Sequence, residues 1–226
     1  MTGGGDRPRF QSRSQAGSAP GGVGSPRAWQ RMLSGRRLDL LDPSPLDIEI
    51  EDIAHGLARV ARWNGQTRGP HAYCVAQHSV LVEHLVSEHW PEASTADLLG
   101  ALLHDAPEYV IGDMISPFKT ALGVDYRQFE DRLATAIRLR FGLSPAMSNE
   151  AHGWVKRADQ ASAFFEATRL AGFDVDEALR FFGAPPPGAE PDMTPLSPTE
   201  AQALFLTRFA SLMRELDMQR AKGAEG

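Results

Sequence analysis

An all-α helical bundle is the fold this sequence predicts, and three observations predict it. From Ile50 onward, apolar residues recur at three- and four-residue spacing, the signature of helices with one buried face. The breaks between those stretches carry capping residues, such as Gly142 and the run Ser197-Pro198-Thr199-Glu200. No stretch alternates apolar and polar residues convincingly, as a half-buried strand would. With 226 residues and 42% hydrophobic content, the chain can bury one sizeable core or at most two small ones. Residues 27–221 are therefore expected to form a single domain. Residues 1–26, dominated by Gly, Ser, Pro and Arg, are expected to form a disordered tail, and residues 222–226 a flexible C-terminus.

The elements follow in order. Leu38 to Pro45 reads as an extended lead-in that ends in a turn at Asp42-Pro43-Ser44-Pro45. A first helix is expected from about Ile50 to Trp63, with Ile53, Leu57 and Val60 on one face and Glu49, Glu51 and Asp52 at its positive end. Asn64-Gly65 breaks it. A long second helix should span about His71 to Trp90 and stop at Pro91. A third starts near Ser94 or Thr95 and ends around His104-Asp105; a fourth runs from about Asp125 to Phe141, with Gly142 as its cap. A fifth is expected from Pro145, a favoured first-turn residue, to about Leu170. A short helix around Asp176 to Phe182 precedes the last one, where Ser197 and Glu200 can form a capping box. That last helix carries Leu204, Phe205, Phe209, Leu212 and Leu216 as its apolar residues.

Charge narrows the function. The overall formal charge is −6, yet the first 37 residues hold seven Arg against one Asp, so that segment carries +6 and the remainder −12. An acidic body argues against a nucleic-acid partner, which would need a basic face. Cations retained inside a cleft of such a body gain significance. The single cysteine, Cys74, excludes an intrachain disulfide and fits a reducing compartment. No apolar run is long enough to span a membrane, so a cytoplasmic location without membrane partner is expected.

The chemistry concentrates at a few polar residues in apolar settings. His104-Asp105 closes the run Leu98-Leu99-Gly100-Ala101-Leu102-Leu103. Successive helical residues point about 100° apart, so the two straddle a common ion only at a helix end. His78 lies among small and apolar neighbours in the second helix, and Asp159 sits between alanines in the fifth. Two imidazoles and two carboxylates from three helices make a mixed nitrogen and oxygen set suited to divalent Co, Mn, Zn or Fe. The spacing His71, Cys74, His78 also stacks three ligand types on one helical face. One helix supplying three ligands is poor tetrahedral geometry, however, and Cys74 reads as a small buried filler.

The ordered set His78, His104-Asp105, Asp159 resembles the H…HD…D signature of the HD-domain superfamily of metal-dependent phosphohydrolases, which are all-helical. Arg62-Trp63, His104-Asp105-Ala106-Pro107-Glu108, Gly112-Asp113, Pro117-Phe118-Lys119 and Val155-Lys156-Arg157-Ala158-Asp159 together resemble its bacterial 5′-deoxynucleotidase branch. They also resemble phage-type deoxynucleoside triphosphate hydrolases. The resemblance covers residues 50 to 171.

It implies an HD-domain helical bundle in which His78, His104, Asp105 and Asp159 hold the metal. Glu108 would orient or deprotonate the attacking water, and Asp113 would meet a sugar hydroxyl; an additional metal near these two carboxylates is also implied. Arg62, Lys119 and Lys156 would neutralise phosphate oxygens, and Trp63 would flank the nucleoside. The implied reaction is attack of a metal-bound hydroxide on a 5′-deoxynucleoside monophosphate, giving nucleoside and phosphate. A dNTP triphosphohydrolase releasing triphosphate is the alternative, and a non-catalytic nucleotide-sensing module is another. A two-metal signalling phosphodiesterase ranks below these, for lack of further His ligands. The resemblance also implies a homo-oligomer, dimer or larger.

Each residue retains a structural alternative. A His on an apolar helix is often a hydrogen-bonded core residue, Asp159 can pair with Arg62 as a buried ion pair, and Glu108 can be a solvated helix-end residue. Asp113 can support the turn it shares with Gly112. Lys156 and Arg157 are adjacent, so at most one of them faces a cleft comfortably.

Overall fold

The structure, a computed structural model, describes residues 28–114 and 124–224. The expected N-terminal tail and Lys119 lie outside the described residues, as do the last two residues of the expected flexible C-terminus. The described chain is an all-α bundle with one small hairpin. Its helices are α1 (Ile50–Leu57), α2 (Val75–His89), α3 (Thr95–Leu102), α4 (Glu108–Ile111), α5 (Val124–Arg140), α6 (Asn149–Arg169), α7 (Val175–Phe182) and α8 (Pro198–Ala224).

The hairpin was not expected. Strands β1 (Trp29–Arg31) and β2 (Arg37–Asp39) pair antiparallel, Gln30 opposite Leu38. Three-residue strands are too short to show alternation. Arg31 and Arg37 lie over the Trp29 ring, 5.5 and 4.6 Å from its centroid, and Leu38 is fully buried.

Several helix ends follow their local chemistry. Ser94 and Asp97 form a reciprocal capping box at the start of α3, and Ser197 and Glu200 form another before α8. At Gly142, φ is +71°; Leu143 N–H donates to Arg138 O at 2.9 Å and Gly142 N–H to Leu139 O at 3.1 Å, the paired bonds of a left-handed helix stop. Helix α6 starts at Asn149 rather than Pro145, because the Ser148 hydroxyl caps it by accepting from Ala151 N–H.

Two corrections matter for the site. Helix α1 stops at Leu57 instead of Trp63, and α2 starts at Val75 instead of His71. The intervening segments pair with each other: Arg62 N–H donates to Tyr73 O at 2.9 Å and Val75 N–H to Val60 O at 3.0 Å, around an antiparallel bridge between Ala61 and Cys74. This non-local pairing satisfies backbone groups that helix would otherwise satisfy. It also places Arg62 beside the first turn of α2.

Helix α2 is the central element, packed against α3, α6 and α8. One apolar cluster gathers Ile53, Leu57, Leu99, Leu102, Ile137 and Phe205 from α1, α3, α5 and α8. Another gathers Val82, Leu85, Ala158, Phe165 and Ala178 from α2, α6 and α7. Phe205, Phe209, Leu212 and Leu216 of α8 are buried on the bundle, whereas Leu204 is exposed. A bidentate ion pair, Glu83 to Arg208 at 2.6 and 2.7 Å, ties α2 to α8 away from the site.

Candidate metal centre

The site lies where α2, the α3–α4 turn and α6 converge. Helix α3 ends at Leu102, and a tight turn carries the chain to α4 with Ala106 N–H donating to Leu103 O and Glu108 N–H to Asp105 O. His104 and Asp105 fall in that turn, so the 100° separation of helical neighbours does not apply to them. His78 is one turn into α2 and fully buried.

Ligand atoms of His78, His104 and Asp105 lie within 4.8 Å of one another. Asp105 Oδ2 is 3.4 Å from His78 Nε2 and 3.2 Å from His104 Nε2, while Asp159 Oδ1 approaches His78 Nε2 to 3.3 Å. Asp159, with 44% of its side chain exposed, forms the outer edge. The structural alternative of an Asp159–Arg62 pair does not hold, since Arg62 pairs with Glu166 at 3.1 Å and with Asp113 at 3.6 Å.

The opposite ring nitrogens are committed elsewhere. His104 Nδ1 lies 2.8 Å from Ala101 O, a partner that only accepts, so Nδ1 carries the proton and a neutral ring presents its Nε2 lone pair to the carboxylates. His78 Nδ1 is 2.7 Å from Glu166 Oε1 and 3.1 Å from Ser162 Oγ, with the same consequence. Both Nε2 atoms are buried and make no hydrogen bond of acceptable geometry. Lone pairs facing carboxylate oxygens at this range require a cation between them, either a proton or a metal ion. Burial and Arg62 press the His78 pKa down, yet Glu166, Asp105 and Asp159 hold it well above the usual histidine range. Burial likewise opposes ionisation of Asp105 and Asp159, but the neighbouring histidines keep both carboxyls below their ordinary range. The donor set could therefore hold a metal ion, with His78, His104 and Asp105 as its tight core and Asp159 at its rim.

Glu166 was not anticipated from sequence. Completely buried, it accepts from Ser162 Oγ at 2.9 Å and meets His78 through one oxygen; through the other it accepts from Arg62 Nε at 3.1 Å and Trp63 Nε1 at 2.7 Å. Burial would raise its pKa, but Arg62 and His78 outweigh that and bring it to about 2. Arg62 is in turn kept fully charged, because the surrounding carboxylates exceed the cost of its burial. One carboxylate thus orients a candidate ligand, a cation and an aromatic wall. Trp63 itself sits at φ +56° and Asn64 at +51°, a left-handed backbone that side chains other than glycine rarely adopt.

A cleft of about 420 Å³ opens on the cluster, within the size range of small-molecule sites. Asp105, Glu108, Asp113, Asp159 and Arg62 line its charged end, and Trp63, Phe181 and Phe182 its aromatic end. Glu108 is buried, not solvated. It is carried by α4, which approaches α1 so closely that a Cβ on Gly56 would meet Tyr109 Cβ at 2.8 Å and Tyr109 O at 2.9 Å. Lys156 is exposed and does not line the cleft, while the Arg157 guanidinium lies 5.0 Å from the Trp90 ring centroid. His71 is exposed and outside α2, and Cys74 is buried at its start, so the His71-Cys74-His78 set does not assemble.

An all-α bundle with a buried His/Asp cluster at the floor of a cleft is the class of protein that fold and site define. No protein-family model matches the chain. It is 55% identical over 194 residues to an uncharacterized protein of Rhodobacter capsulatus, covering 84% of this chain and 98% of that protein. It is 34% identical over 166 residues to the uncharacterized protein YfdR of Escherichia coli, covering 74% of this chain and 85% of that one. The chain belongs to the family of these two bacterial proteins. Among the described residues, no helix is long and apolar enough to cross a membrane.

Proposed function

We propose that this chain is a metal-dependent phosphohydrolase of small nucleotides, with 5′-deoxynucleoside monophosphates as substrates and nucleoside plus phosphate as products. The observation that carries the reading is the convergence of His78 Nε2 and His104 Nε2 on Asp105, which lines a cleft together with Arg62, Glu108 and Asp113. The ordered resemblance of His78, His104-Asp105 and Asp159 to the HD-domain phosphohydrolases supports the same reading. His78, His104, Asp105 and Asp159 would hold the ion. When bound, a divalent metal supplies a water of lowered pKa and polarises a phosphoryl oxygen.

The remaining work falls to the chain's own side chains. Glu108 receives the proton of the attacking water and returns it to the departing 5′-oxygen as the P–O bond breaks. Arg62, held in place by Glu166, faces the phosphoryl oxygens with a charge that persists at any working pH. Asp113, beside Arg62, accepts from a sugar hydroxyl. Among the described lining residues Arg62 stands against four carboxylates, a balance that favours one phosphate over three.

The test is phosphate release from dAMP and dATP with Mn or Co, with products separated chromatographically. Free phosphate from dAMP supports the reading, and triphosphate from dATP reassigns the substrate. Nucleotide binding without turnover by a metal-free protein indicates a sensor, and no turnover of any nucleotide with any divalent metal refutes the proposal.

A further inference from the structure

We infer that the exposed face of Phe181 is the stacking surface for the nucleobase, making the aromatic end of the cleft a specificity subsite; the inference rests on the nucleotide reading above. Phe181 leaves 67% of its surface exposed while lining the same cleft as Asp105, Glu108 and Arg62. Its ring is nevertheless held by its neighbours. It meets Phe182 at 6.2 Å and Phe173 at 6.4 Å between centroids, and those two rings pack on Trp63 at 5.9 and 5.6 Å. Trp63 is fixed by its bond to Glu166. The shelf is thus continuous, through Phe173, Phe182 and Trp63, with the polar network that orients His78.

Such a cleft is bipolar, with a metal and anion end opposite a planar apolar end. The matching ligand carries an anionic group at one end and a flat ring at the other. A phosphorylated sugar without a base would satisfy only the charged end and leave the Phe181 face wet. Stacking on an aromatic side chain tolerates every base but grows with ring area, so purine nucleotides are favoured over pyrimidine ones. Helix α7, which carries Phe181, lies beyond residues 50–171.

The experiment compares the full-length protein with Phe181→Ala, Phe181→Leu and Phe181→Trp, using dAMP, dCMP and 2-deoxyribose 5-phosphate with Mn. In the unaltered protein kcat/KM is expected to fall in the order dAMP, dCMP, 2-deoxyribose 5-phosphate. Phe181→Ala should raise KM for dAMP about 5- to 100-fold, leave kcat near its original value and leave the base-free substrate unaffected. Phe181→Trp should restore the low KM. Phe181→Leu retains apolar bulk without a π face, and should behave as Ala does even if the Ala variant folds poorly. An unchanged KM for dAMP in Ala and Leu variants that still hydrolyse it overturns this inference and leaves the phosphohydrolase reading standing. A change in oligomeric state by light scattering assigns the Phe181 face to a second copy and also overturns it. Absence of turnover of all three substrates by the unaltered protein overturns both.

Discussion

Replacing Glu166 with Gln keeps the side chain's shape and removes its charge, and the structure fixes what that must cost. One carboxylate oxygen serves His78 Nδ1 and Ser162 Oγ; the other serves Arg62 Nε and Trp63 Nε1. An amide offers a single acceptor oxygen, so in either orientation its NH2 group faces two donors. If it faces Arg62, a largely buried cation loses its closest partner. An unsatisfied buried donor costs about 1–3 kcal/mol, and more when charged. The pKa gives a similar figure independently: a drop from 4.5 to about 2 corresponds to about 3 kcal/mol at neutral pH. Because the folded-state pKa is the lowered one, this contribution is complete above pH 4.5 and is lost as pH falls towards about 2. For a domain of this size, about 3 kcal/mol translates into a fall in Tm of roughly 6–12 °C. Glu166→Gln should show that fall in circular-dichroism melts at pH 7. It should also bind metal more weakly, by about 10- to 100-fold, the usual effect of removing a partner that orients a ligand histidine. A Tm within about 2 °C of the parent, with unchanged metal content by mass spectrometry, would refute the account of Glu166 as the common anchor.

Asp105→Ala, which removes a carboxylate that approaches both Nε2 atoms, should abolish metal retention and phosphate release together; surviving activity contradicts the assignment. Gly56→Ala places a methyl against Tyr109, and overpacking of that kind costs about 1–3 kcal/mol. Because α4 also carries Glu108, kcat should fall with Tm. Glu83→Gln breaks the pair with Arg208 and serves as the contrast, lowering Tm by a few degrees while metal content and kcat stay constant. Metal uptake by stripped protein in weak buffer should release protons near neutral pH, since His78 is held well above its ordinary range until a cation replaces its proton; pH-stat titration reads this directly.

The helical architecture was legible because its signals are local. Caps at Ser197 and Gly142 and the apolar spacing of α8 need only a few neighbouring residues to act. What escaped is non-local. Pairing of residues 60–62 with 73–75 ends α1 early and delays α2, and nothing within either segment announces the other. The cluster was legible for a different reason: His78, His104-Asp105 and Asp159 are polar residues in apolar runs, and burial requires such groups to find partners. By the same logic Glu166 had a signal that went unused. It lies seven residues after Asp159 and four after Ser162, hence on one face of α6, and it is flanked by Phe164, Phe165 and Ala167. The aromatic wall had no comparable signal, because Trp63 and Phe182 meet only through the fold.

The carboxylate shared by His78 and Arg62 has a thermodynamic consequence that reaches beyond the stability of either residue. Two sites that draw on one group cannot be filled independently. Whatever change an anion at Arg62 makes in the affinity for metal at His78, the metal must make by the same factor in the affinity for the anion. On the proposed function, loading of an ion and capture of a phosphate would be reciprocal events, and the preference among metals should shift with the nucleotide that is present.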